Sequence, residues 1–346
     1  MVKETNTSTY LKGLSNLKGV RDTLEKASLR PQKERIPEHI KEAGKKEEFP
    51  YRTPSQSPFP VFVLCQPMYV DTKVTNNIWM KNLNGEAKEI DKEKFMGEWY
   101  NLYGLLGFDS MVLLIPPKKG LQDQTYVNCA AYLPHLKDRD VIVLSNFTAE
   151  GRTGEEDVAG AYFKMFGYEV VKNPYKFEGE PELKWLKEDV YFGGYGIRSQ
   201  LEAHKWISDK YGCTIIPIYE KDKYLYHLDC TLFCLSQDEV MLCTELIDQL
   251  TIKKIEKVAN IHSVTKDDCM ECICNSLRIG DLIVSSSSLM FMKKREPEYN
   301  KEYKKNKRIE EVCSKLGLEL IYVELSEAAK SGAALSCFVM HLNYRY

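Results

Sequence analysis

Three features of this sequence combine residue types that do acid–base and nucleophilic chemistry. His227 stands in Tyr224-Leu-Tyr-His227-Leu-Asp229-Cys230, at the start of an apolar run. If that run is a strand, the imidazole and the Asp229 carboxylate share one face, because strand side chains alternate with a period of two. A histidine converging with a carboxylate suits proton transfer near neutral pH. The same pattern fits a buried histidine satisfied by a backbone carbonyl. Phe177-Glu178-Gly179-Glu180-Pro181-Glu182 sets three carboxylates around a Gly and a Pro. That is a turn whose acids could converge on a cation, or an exposed acidic loop. Cys337 follows Lys330-Ser-Gly-Ala-Ala-Leu-Ser and leads into Phe338-Val-Met-His341. A thiol between a small-residue loop and an apolar strand suits a nucleophile, and it also suits a buried structural cysteine. Composition alone does not separate these readings. The remaining histidines, His39, His135, His204, His262 and His341, stand in no comparable motif.

The eleven cysteines are odd in number and scattered, which is not the framework of a small secreted domain. Cys269-Met-Glu-Cys272-Ile-Cys274 and the Cys230/Cys234 pair invite a zinc reading. No second pair completes a four-ligand set at the usual spacing, so no metal is expected. Cys269 and Cys272 are expected in a loop, with Cys272-Ile-Cys274-Asn275-Ser276 entering a core strand. Residues 1–30 are charged throughout and carry no apolar signal segment. No apolar run approaches the roughly 20 residues of a membrane span. Reduced thiols and a cytoplasmic setting follow as expectations. With 48 basic and 50 acidic residues, nothing in the charge balance calls for nucleic acid or an anionic membrane.

Those candidate residues need elements to position them. Residues 1–57 are polar, dense in interleaved Lys, Glu and Arg, and end in Pro54-Ser-Gln-Ser57-Pro58. They read as a solvated, flexible extension closed by a linker without regular structure; a basic docking arm is the other reading. From residue 58 an amphipathic stretch and then a short β-branched run recur. Lys92–Leu106 leads to Met111–Ile115, Glu155–Phe166 to Tyr168–Val171, and Ser199–Tyr211 to Cys213–Ile218. Glu245–Val258 leads to Ile261–Val264, and Lys301–Leu316 to Leu318–Leu325. Between them lie the apolar runs Val61–Cys65, Val141–Ser145, Val190–Gly193, Val240–Cys243 and Leu282–Ser285. Five such α/β units predict one body over 58–346, closed and pseudo-symmetric rather than an open sheet. No Gly-rich dinucleotide turn and no phosphate loop appears at any unit.

The order of carboxylate loop, His-x-Asp and C-terminal Cys on five α/β units resembles the guanidino-group-modifying enzymes of the pentein fold, closest to the dimethylarginine dimethylaminohydrolase-like branch. Several motifs carry the resemblance. Asn76-Asn77-Ile78-Trp79-Met80 is similar to the family's Asn-Pro-Trp-Met segment, and Asp123-Gln-Thr-Tyr-Val-Asn128 to its Asp-x-x-Phe-x-Ala-Asn strand. Arg152-Thr-Gly-Glu155-Glu156 resembles its Arg-x-Gly-Glu helix start, and Gly194-Tyr-Gly196-Ile-Arg198-Ser199 its Gly-x-Arg-Ser/Thr turn. Phe177-Glu178-Gly179, His227-Leu-Asp229 and Ser336-Cys337 resemble its catalytic segments. The chain departs at Cys129, where the family often has asparagine, at Ile78 in place of Pro, and at Glu182 in place of Asp.

The resemblance implies a five-fold pseudo-symmetric α/β propeller that hydrolyses the guanidino carbon of arginine or a methylated arginine. Cys337 is then the nucleophile, His227 the acid/base, and Glu178 with Asp229 the grip on the guanidinium. Arg198 or Arg152 would take the substrate carboxylate, and Asn77, Asp71 and Asp123 its ammonium. Arg152 has a simpler reading, an ion pair with Glu156 at a helix start. No cofactor is implied; the partner is a small guanidino molecule, and a homodimer is left open. An amidinotransferase and a non-catalytic propeller that binds a macromolecule are the alternatives.

Overall fold

The computed structural model of the chain describes residues 52–132 and 140–344. Most of the extension expected over 1–57 lies outside the described residues, as do His39 and His135.

The described strands form five three-stranded sheets. The first joins β1 (Val61–Cys65) to β2 (Met111–Ile115) and to β15 (Met340–His341) from the C-terminal end. The second holds β3 (Ala131–Tyr132), β4 (Val141–Leu144) and β5 (Glu169–Lys172); the third holds β6 (Leu183–Lys187), β7 (Val190–Tyr195) and β8 (Thr214–Tyr219). The fourth holds β9 (Leu232–Cys234), β10 (Glu239–Cys243) and β11 (Asn260–Val264); the fifth holds β12 (Leu277–Ile279), β13 (Leu282–Ser286) and β14 (Glu319–Val323). Every sheet repeats one plan. A central strand pairs antiparallel on one side and parallel on the other. The parallel partner requires a crossover, and a helix supplies it. This is the pseudo-symmetric α/β propeller of five repeated units. The central strands β1 and β4 are buried along their whole length, which is why they read as unbroken apolar runs instead of alternating ones.

The crossover helices follow the sequence pattern, with three shifts at their starts, the smallest being Leu201 in place of the expected Ser199. The helix expected over Glu245–Val258 is Gln249–Ile255, because Asp248 caps it through Leu250 and Thr251 N–H groups and Thr244–Leu246 forms a separate 3-10 turn. The last long helix, Pro297–Leu316, begins four residues before the expected Lys301. Proline suits that start, since its missing N–H falls where no partner exists anyway. Cys269 lies in the short helix Lys266–Met270 instead of a loop. Pro54–Gln56 forms a 3-10 turn. Ser55 and Gln56 donate side-chain hydrogen bonds to Asp140 at 2.9 and 2.8 Å, so side chains anchor a segment that has no ladder to join.

The register explains where functional residues collect. In each sheet the antiparallel strand starts opposite the middle or the later part of the central one: Met340 pairs with Val63, Ala131 with Leu144, Leu183 with Gly193, Leu232 with Leu242 and Leu277 with Val284. Loops that precede the antiparallel strand and loops that follow the central strand therefore emerge at the same end of each sheet. Asn77, Arg152 and Arg198 follow central strands; Glu178, His227 and Cys337 precede antiparallel ones. Phe95, Trp99, Leu102 and Leu106 recur on one face of the first crossover helix and pack in the same apolar cluster as Cys337 and Phe338.

Candidate active site

Glu178 is fully buried and is held by backbone geometry at the turn that follows it. Gly179 adopts φ 70°, and a Cβ there would lie 2.9 Å from Ala131 O, so glycine is required. The Glu178 Oε1 accepts the N–H groups of Thr148 (3.0 Å) and Ala149 (3.2 Å). Its Oε2 accepts His227 Nε2 at 2.9 Å and pairs with Arg198 Nη1 at 3.3 Å. Burial alone would raise the carboxyl's pKa, but the His227 hydrogen bond and the Arg198 and Arg152 charges outweigh it and hold the group at about 2. Glu178 is thus ionised. The carboxylate can only accept, so His227 carries its proton on Nε2 and presents Nδ1 as a base. Burial holds the imidazole below its ordinary pKa, against the opposing pull of Glu178.

His227 does not lie in a strand. It is the extended residue before the 3-10 turn Leu228–Cys230, and that turn, not strand alternation, brings Asp229 beside it. Asp229 Oδ2 accepts the Ser336 hydroxyl at 2.6 Å. Cys337 likewise sits in a 3-10 turn, Leu335–Phe338, ahead of β15. Burial and then the Asp229 charge push its thiol up to about 12, against hydrogen bonds from Ala334 and Asn275. At neutral pH that favours the neutral thiol.

The three acids of the Glu178–Glu182 loop are all buried and do not converge on one cation. Glu180 accepts His341 Nδ1 at 2.6 Å, and Glu182 turns toward Glu220 and the Leu228 N–H. The histidine satisfied by a backbone carbonyl is His204, whose Nε2 meets Gly194 O at 2.6 Å.

A cavity of about 340 Å³ opens beside Cys337 and His227. Asn76, Asn77, Asp123, Arg152 and Arg198 line it. Glu178 does not; its carboxylate stands behind His227. Asp123 is buried, accepts Asn76 Nδ2 on one oxygen and has its other oxygen without a partner. Arg198 donates to Asn76 O at 2.7 Å and lies 4.7 Å over the Tyr226 ring. Arg152 forks onto Glu155 at 2.6 to 3.2 Å, not onto Glu156, which takes Lys172 instead. Asn77 Nδ2 donates to Ser331 O at 2.9 Å, tying the loop after β1 to the loop before Cys337. Asp71 stands apart from the cavity, paired with Lys73 at 3.1 Å and with Lys92 at 3.8 Å.

Two contributors had no role in the sequence reading. Asn275 donates to Cys337 Sγ, and Tyr226 packs edge-on to His227 with centroids 4.8 Å apart. Asn275 had one signal: like Glu178 and His227, it is a polar residue just ahead of an antiparallel strand in the repeat.

Comparison with known proteins bears on the fold and the family. The chain is 25% identical over 293 residues to the bifunctional arginine dihydrolase/ornithine cyclodeaminase AgrE of Nostoc sp., matching 81% of this chain and 37% of that one. It thus spans little more than a third of the length of the first curated relatives it matches. The crystal structure of the N-terminal domain of ArgZ, covalently bound to a reaction intermediate, superposes with a TM-score of 0.70 at 24% identity, over 82% of this chain and 97% of that chain. A dimethylarginine dimethylaminohydrolase structure from Pseudomonas aeruginosa, complexed with citrulline, superposes with a TM-score of 0.62 at 17% identity, over 82% and 99% of the two chains. These likenesses are ones of fold. The model of the eukaryotic N,N dimethylarginine dimethylhydrolases matches residues 66–344, nearly the whole of the described body. The chain is a member of the N,N-dimethylarginine dimethylhydrolase family.

Proposed function

We propose that this protein hydrolyses the guanidino carbon of arginine or a methylarginine-like substrate, giving citrulline and ammonia or an alkylamine through a covalent thiouronium on Cys337. The observation that carries the reading is the meeting of Cys337 and His227 on one cavity wall, with Glu178 fixing the imidazole from behind. The relatives' descriptions as arginine dihydrolase and dimethylarginine dimethylaminohydrolase point the same way.

The substrate's amino acid end occupies the charged cavity. Its ammonium meets the unpartnered oxygen of Asp123 with Asn77 nearby, and its carboxylate meets Arg198, whose planar fork suits a carboxylate. Arg152, already engaged by Glu155, supplies positive potential and holds the Asp123 and Tyr126 carbonyls at 3.2 and 3.0 Å. The guanidinium lies against Asp229. Its charge offsets the carboxylate that holds the thiol up, so binding the substrate favours the thiolate. The thiol proton passes to His227, and sulfur attacks the guanidinium carbon. His227 returns that proton to the departing nitrogen as the C–N bond breaks, leaving the thiouronium. His227 then takes a proton from water, the resulting hydroxide adds to the carbon, and the thiolate leaves. Glu178 keeps the imidazole on the correct tautomer throughout. Asp71 has no part in this reading. Residues 58–346 act as one catalytic body with 1–57 as an extension. The eleven free cysteines favour a reducing, cytoplasmic setting.

The test is product analysis by mass spectrometry with L-arginine, asymmetric dimethylarginine and agmatine, with Cys337→Ala as control. Citrulline with ammonia or dimethylamine, absent in the variant, is the expected result. Turnover that appears only when an amine acceptor is added would replace hydrolysis by amidino transfer. No turnover and no adduct on Cys337 would sink the enzymatic reading.

A further inference from the structure

Cys337 and His227 also line a second cavity, of about 640 Å³, which shares only Tyr226, His227, Gly332, Ala333 and Cys337 with the first. The two differ in chemistry. The first presents Asp123, Arg152 and Arg198; the second has Asp229 as its one acidic or basic lining residue apart from His227. Its remaining walls include Trp79, Tyr224, Leu225, Met270 and the thiols of Cys230 and Cys272. Trp79 and Tyr224 meet edge to face at 5.4 Å, and the Trp79 indole donates to Tyr224 O at 2.9 Å, so this aromatic wall is braced.

We propose that this second cavity is the subsite for the substituent on the guanidine's departing nitrogen, and that it takes alkyl or aryl substituents larger than methyl. The inference rests on the hydrolase reading above. A guanidinium is planar, with three nitrogens pointing away from the carbon that Cys337 attacks. The nitrogen carrying the amino acid chain lies toward the charged cavity. A second nitrogen then faces the apolar one, beside the histidine that must protonate it. In the step itself the bond from the guanidinium carbon to that nitrogen breaks, water supplies the new oxygen, and the substituent leaves as its amine. On the same measure this apolar cavity is nearly twice the size of the charged one, about 640 against 340 Å³, which is more extent than methyl groups call for. Each further buried methylene is worth about fourfold in binding.

The test measures kcat/KM for citrulline formation by the full chain with L-arginine and its Nω-methyl, Nω-propyl and Nω-benzyl derivatives, and identifies the amine released. Ala329 is exposed on the rim of the second cavity, so Ala329→Trp narrows it with little risk to folding, and Met270→Trp fills it from another side. The expected result is a rise from methyl to propyl or benzyl, release of propylamine or benzylamine, and a benzyl-to-arginine ratio at least tenfold lower in both variants. Turnover of arginine or methylarginine without turnover of the larger substrates overturns the inference and leaves the hydrolase reading standing. A ratio unchanged in both variants also overturns it, because the substituent then lies elsewhere. Failure of every guanidine overturns the hydrolase reading first.

Discussion

Asn275 donates its Nδ2–H to the sulfur of Cys337 across 3.7 Å, while its Oδ1 accepts the N–H of Ser336 at 2.8 Å. One amide therefore fixes the backbone that carries Cys337, the proposed nucleophile, and offers its sulfur a donor. A donor favours the thiolate over the thiol, and hydrogen bonds to charged groups are worth about 1.5–3 kcal/mol. Asn275→Ala is expected to lower kcat/KM about 10- to 100-fold. It should also raise the pH at which iodoacetamide inactivates the enzyme, a shift that a purely structural role would not produce. Unchanged alkylation kinetics would reduce Asn275 to a loop anchor.

Cys337 is held up to about 12, first by burial and then by Asp229. A guanidinium ion seated on Asp229 removes the second cause. Thiolate absorbance, read as wild type minus Cys337→Ala, should titrate far above pH 9 for the free enzyme. Millimolar guanidinium should bring it down by about 1–3 units. A titration indifferent to guanidinium would mean that the nucleophile is not activated by its substrate.

Glu178→Gln removes the charge that orders His227 and partners Arg198. Loss of general acid–base catalysis costs about 10²–10⁴ in kcat, and an unpaired buried charge costs about 3–5 kcal/mol of stability. The pH dependence has a definite sign. Glu178 is held at about 2 against an ordinary 4.5, so its stabilisation is complete above 4.5 and is lost as pH falls from there toward 2. Urea midpoints between pH 3 and 6 should fall steeply for the wild type and less for the variant. Parallel curves would contradict the assignment.

His204 is brought from 6.5 down to about 4 by burial, against the Gly194 carbonyl. The unfolded chain binds this proton below 6.5 while the folded one refuses it until about 4. Its contribution is therefore complete above 6.5 and lost as pH falls toward 4, by roughly 3 kcal/mol in all. His204→Phe, which keeps a ring near Phe177 but leaves Gly194 O without its donor, should cost about 1–3 kcal/mol at pH 7. That deficit should shrink toward pH 5. Equal deficits at both values would mean that His204 is already charged in the folded protein.

The sequence by itself determined the repeated helices and strands and the residue types of the site. Periodicity is local: Phe95, Trp99, Leu102 and Leu106 mark a buried helix face wherever that helix packs. The motif order of Glu178, His227 and Cys337 was legible for the same reason, since each motif is a short stretch of chain. Tertiary structure decided the rest, because pairing and burial join residues far apart in sequence. The closing of the first sheet by Met340–His341 against Val61–Cys65 has no local signature. Only packing shows that His204 is the histidine spent on a carbonyl and that His227 leans on Glu178. The three acids in one turn are equally buried, and only their tertiary partners separate them: His227 for Glu178, His341 for Glu180 and the Leu228 N–H for Glu182. Asn275 is the clearest case: an asparagine before an apolar strand becomes a neighbour of the Cys337 sulfur only because Cys337, 62 residues on, folds back against it.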